Sequence, residues 1–168
     1  MNGLYNDNSN SLASNLDFVS YERSDCTVVL SSSASPYSIS QSSPLFASAK
    51  NTILIYAETI ELQSSLVLHG KTIGLFCNEL SIPQSVLQCT IDVSGLDGRE
   101  SNPSVTDHGI RGADGLPSGS VYIYVQQPTD NWERLKVRAL GGDGAAGGAT
   151  SAVGKSGGDG GKGGNAGA

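Results

Sequence analysis

Four aspartates lie among glycines, at Asp97, Asp114, Asp143 and Asp159. Carboxylates spaced in this way can gather a hard, oxygen-seeking cation, and calcium is the one cofactor the chain offers. The glycine-rich repeat that wraps calcium needs an apolar residue at a fixed step after each Asp. Here each Asp is followed by Gly, so the dipeptides read first as turns or solvent-facing triplet positions. The segment ATSAVGKS at 149–156 fits a loose phosphate-binding loop. Such a loop needs a strand before it and a helix after it, whose first amides hold the phosphates. The residues that follow are mostly glycine, each costing about 1 kcal/mol in a helix, so the segment reads as a turn.

No catalytic residue emerges. His69 and His108 have no nucleophile at a useful spacing, and no GxSxG or HExxH is present. A carboxylate pair for glycosidic chemistry requires separate loops, for example Asp92 or Asp97 with Asp107. Three aromatics are candidate ligand or interface residues. Tyr122 and Tyr124 share one face of an alternating segment, and Trp132 sits on the turn after it. Exposed, they would stack on glycans; internal, they would be core.

The elements that position these residues are strands. Residues 51–67 lie over 71–87 at an offset of twenty, with Ile53 over Ile73, Ile55 over Leu75, Tyr56 over Phe76 and Ile60 over Leu80. Period-two alternation makes both segments strands, and self-similarity at this period points to stacked coils. Residues 26–30, 90–95, 120–125 and 135–140 also read as strands. The serine-rich run 31–43, broken by Pro36 and followed by Pro44, reads as loop. The expected fold class is all-β: a β-solenoid with glycine-rich excursions and no long helix. Its divisions are a Ser/Asn-rich arm at 1–25, a body at 26–140 with a glycine-rich insertion at 95–119, and a glycine-triplet segment at 141–168 that continues in a longer protein.

The triplet beat is the second pattern. Glycines 154, 157, 160 and 163 share one register, and 158, 161, 164 and 167 the next. A three-residue period suits an extended helix with three residues per turn. The coil pair 51–87 resembles right-handed parallel β-helix proteins in its period and its ladders. The glycine segments resemble polyglycine-II proteins, such as the glycine-rich antifreeze protein of snow fleas and the receptor-binding tips of some phage fibres. These resemblances imply a rigid, non-enzymatic, surface-displayed scaffold, and carry no functional residue across.

Composition narrows the partners. The net charge is −6, the pI is about 4.7, and the basic residues are scattered. This disfavours nucleic acid and anionic membrane surfaces, and no apolar run could cross a bilayer. Cys26, Cys77 and Cys89 lack metal-ligand spacing and read as free thiols, with a Cys77–Cys89 bridge as the alternative. The chain begins without the pattern of a secretory leader. The function expected is a structural or adhesive module of an extracellular or surface assembly, self-associating through strand edges. The alternative is a carbohydrate-binding or carbohydrate-cleaving β-helix domain, with glycans or cell-surface components as partners.

Overall fold

In the computed structural model the described residues are 18–23, 25–32, 35–47, 50–101, 103, 108–129 and 131–167. Residues 1–17 and 24 of the 1–25 arm, and Asp107, therefore lie outside them. The longest strands are β4 (Thr52–Leu62) and β6 (Thr72–Ser81). Their β-branched and aromatic residues suit a pleated surface. They pair in parallel with Ile53 opposite Ile73, Ile55 opposite Leu75 and Ile60 opposite Leu80, the twenty-residue register read from the sequence.

Around this pair the first sheet runs β1–β2–β4–β6–β8, with β3 also on β4. β1 is Phe18–Arg23, β2 Cys26–Ser31, β3 Tyr37–Ile39 and β8 Val121–Pro128. A second parallel sheet runs β5–β7–β9, formed by Leu66–Val67, Cys89–Asp92 and Leu135–Arg138. Two 3-10 turns, η1 (Pro44–Ala47) and η2 (Trp132–Arg134), complete the regular structure, and no α-helix occurs among the described residues.

The inward side chains form one apolar core. Ile53, Ile55, Ile60, Leu62, Leu66, Ile73, Leu75, Ile91 and Val93 are all fully buried. In the first sheet they stack as ladders, such as Val29–Ile55–Leu75–Ile123. The second sheet adds Leu66–Ile91–Val137. Burial of these surfaces is the dominant favourable term in folding.

The all-β class holds, but the β-solenoid expectation is overturned. The strands form two separate parallel sheets, and no closed solenoid is found. The offset between β4 and β6 is not the offset elsewhere: Cys26 lies opposite Thr52, and Ile73 lies opposite Val121. β1 runs antiparallel to β2. The chain also leaves the sheets between β7 and β8, so successive turns of chain have unequal lengths. The run read as loop contains β3, whose Ile39 is fully buried. Its alternation of Tyr37 and Ile39 was masked by flanking serines and prolines.

Four extended segments, 93–99, 109–119, 139–148 and 156–167, pack beside the sheets. The amides of Gly142, Ala145 and Gly148 donate to the carbonyls of Leu116, Ala113 and Ile110 at 2.9, 3.0 and 2.8 Å. Gly158, Gly161 and Gly164 donate to Gly148, Ala145 and Gly142 at 2.9, 2.7 and 2.7 Å. Gly109, Gly112 and Gly115 donate to Ser156, Asp159 and Lys162, and Leu116 donates to Leu96. Segment 109–119 thus bonds to all three others, whereas a strand within a sheet has two neighbours. Bonds in three directions bring backbones too close for side chains between them. A Cβ on Gly161 would stand 2.0 Å from the Ala113 carbonyl oxygen, and one on Gly164 would stand 2.0 Å from that of Leu116.

Two stability predictions follow from this packing. Gly161→Ala should lower the unfolding free energy by roughly 2 kcal/mol or more through overpacking. Gly160→Ala should be neutral or slightly stabilising, because its nearest contact would be 3.6 Å away. Separately, Thr27 is buried with an unpartnered hydroxyl. Thr27→Val should stabilise by about 1 kcal/mol, by removing an unpaired polar group of the same shape. Urea titrations of the three variants check all three.

Candidate interaction surface

Among the described residues, the sequence-derived site residues do not converge on a catalytic or metal centre. Asp97 Oδ1 accepts the Asp143 amide at 2.8 Å, and Asp114 Oδ1 accepts the Lys162 amide at 2.7 Å. Both carboxylates therefore tie one glycine segment to its parallel neighbour, and Asp114 also pairs with Arg111. Asp159 contributes its carbonyl to Gly112. Among the described residues no group of three His, Cys, Asp or Glu side chains converges. His108 Nδ1 accepts the Ser156 amide at 3.1 Å and lies 3.1 Å from its hydroxyl. The ring thus holds the start of segment 156–167. The loop-like 149–156 segment has a turn at 152–154, with Gly154 at φ 76°, and leads into an extended segment.

All three cysteines are free thiols, so no Cys77–Cys89 bridge forms. Burial is the main cause that pushes the Cys77 thiol up to about 11. It raises the Cys89 thiol as well.

The aromatic candidates lie at one end of the molecule. β8 is the last strand of its sheet, and Tyr122 and Tyr124 stand on its outer face, 52% and 62% exposed. The rings are solvent-facing, not core. Register places Tyr124 next to Phe76, which lies next to Tyr56 and then Leu30. Tyr56 and Phe76 stack face to face at 4.6 Å. A Cβ on Gly74 would meet the Phe76 ring at 2.7 Å, so glycine leaves the space that this ring fills. The Tyr56–Phe76 pair was read from the twenty-residue offset, but its extension to Tyr124 and Leu30 was missed, because those strands join the row at other offsets.

On the inner side of β8 the core ends unfinished. Leu75 is 0% exposed, but its ladder neighbour Ile123 is 37% exposed; Ile91 is 0% exposed and its neighbour Val137 is 47%. With Leu80, Val125, Trp132 and Leu135 they line an apolar groove of about 400 Å³ between the final strands of the two sheets. Trp132 lies on the η2 turn bridging β8 and β9. The arrangement offers apolar surface, two outermost strands and no acid–base pair.

One electrostatic group braces the start of the glycine segments. Asp92 Oδ1 accepts the Ser94 amide at 2.9 Å, and Arg138 lies 3.6 Å from the other carboxylate oxygen. His69 Nδ1 is 3.0 Å from the Ser94 carbonyl. The Ser94 hydrogen bonds, then the Arg138 and His69 charges, hold the Asp92 carboxyl below the usual carboxylate value despite partial burial.

No family model, curated protein or solved structure matches the chain. The resemblances to parallel β-helix and polyglycine-II proteins therefore assign no family.

Because its folded pKa is depressed, Asp92 stabilises the protein above the ordinary carboxylate range. That contribution is lost as pH falls through the folded pKa. Asp92→Asn should cost on the order of 1 kcal/mol at pH 7. The gap from the parent should close in strong acid, once the carboxyl is protonated in both the folded and the unfolded chain. Thermal melts under the two conditions read the difference.

Proposed function

We propose that this chain is a non-enzymatic structural or adhesive module of an extracellular or surface assembly, self-associating through its strand edges. The observation that supports the reading is the exposed last rung of each core ladder, Ile123 and Val137, beside outermost strands in both sheets. An outermost strand presents backbone N–H and C=O groups without partners, and proteins ordinarily cover, charge or pair such edges. In β8 and β9 the edges flank an apolar groove. Matching them with a further pair of strands would bury the groove and complete the backbone bonds in one step.

A second reading is favoured by the outer aromatic row. Tyr122 and Tyr124 present aromatic surface to solvent, and a saccharide stacks on such rings. Tyr56 and Phe76 are less suited, because each has one ring face against the other. Self-association is preferred because it accounts for both sheets, whereas the aromatic row concerns one face of one sheet.

Sedimentation velocity over a concentration series should give a mass above the 17.3 kDa of one chain. A strictly monomeric protein at its highest soluble concentration overturns the reading. A glycan array tests the alternative. Specific binding abolished by Tyr122→Ser and Tyr124→Ser would establish it, and an array without hits removes it.

A further inference from the structure

The two ends of the sheet pair are not equivalent. At the far end, β1 covers β2 in antiparallel pairing. The outer edge of β5 is sealed by a side chain: Gln41 Oε1 accepts the Val67 amide at 2.6 Å, and its Nε2 donates to the Val67 carbonyl at 3.3 Å. At the near end β8 and β9 are both outermost, and no strand among the described residues pairs with their outer edges; only the Leu135 amide, at the start of β9, is taken up, by the Trp132 carbonyl.

We propose that the partner in self-association is a second copy of this chain, docked end to end across β8, β9 and the groove between them. The inference rests on the self-association reading above and deepens it. A head-to-tail arrangement would present β9 to the β5 edge that Gln41 already covers, leaving β9 unmatched. The like end of another copy offers two edges and an apolar groove of the same outline. Contact between like ends is isologous, closes at two copies and uses each edge once.

The glycine segments support the same end. Segment 139–148 follows β9, as 93–99 follows β7, so it lies on the near side. Segment 156–167 bonds to 139–148 and to 109–119 but to no residue of 93–99, and so it is the outermost layer on that side. It carries two glycine registers. Gly158, Gly161 and Gly164 face backbone so closely that a Cβ would fall within 2.1 Å of it. Gly157, Gly160 and Gly163 are exposed, and a Cβ there would meet nothing nearer than 3.6 Å. Their amides have no partner among the described residues. The nearest atoms are carbonyls of Gly148, Ala145 and Gly142, so this bare register borders the space beyond 139–148. Packing within the chain does not require glycine there. Close approach of a second backbone does.

The test is sedimentation equilibrium on the full chain and on Ile123→Lys, Val137→Lys and Gly160→Leu. All three sites are exposed in a single copy, so far-UV circular dichroism and thermal melts should show each variant folded. The wild type should reach a limiting mass of two copies. Each substitution should raise the dissociation constant at least about tenfold, by burying a charge or blocking backbone approach. A dimer indifferent to all three overturns the proposed surface, and masses that climb without limit overturn the closed pair. Both of those results leave self-association standing, whereas a monomeric wild type overturns both inferences.

Discussion

Parallel, in-register backbone pairing is the constraint on which the rest of this structure depends. With Ile53 opposite Ile73 and Ile55 opposite Leu75, each inward side chain rests on its equivalent in the neighbouring strand. A ladder of this kind is complete only where a rung has neighbours on both sides. Interior rungs are sealed, while Ile123 and Val137, at the end of the stack, remain partly exposed. The core and the candidate interaction surface are thus the same feature at different positions along the stack.

The glycine segments solve a related problem with different means. In the sheets, hydrogen bonds run in one plane and side chains leave it on both faces. In the four extended segments, donors step by three and the bonds point to neighbours in several directions. Every direction occupied by a backbone is one from which a side chain is excluded, and glycine follows from that exclusion. Side chains remain where the segments face outward, and there Asp97 and Asp114 accept amides of adjacent segments. Aspartates that could have read as cation ligands act as cross-ties.

How much was legible depended on whether a feature repeats along the chain. The β4–β6 register could be read because both strands carry the same inward pattern at one offset. The triplet beat was legible because close packing removes side chains at every third position. β3 was missed because Tyr37–Ile39 is short and set among serines and prolines. The solenoid expectation failed because one repeated offset was extended to the whole chain, whereas the segments between β2 and β4 and between β6 and β8 have different lengths. The extension of the Tyr56–Phe76 pair to Leu30 and Tyr124 and the Gln41 seal on β5 arise only when distant segments meet.

The sequence alone determined that this is an all-β chain, where its longest strands lie, which side chains face inward and where backbone must approach backbone. These properties are set by local period and by residue size, and both are written along the chain. Tertiary structure decided the rest: the order of strands in two sheets, which end is covered, which glycine register is crowded and which is bare, and where the core stops. Those depend on segments far apart in sequence meeting in space, and no local pattern encodes which neighbour a free edge or a bare glycine face will have.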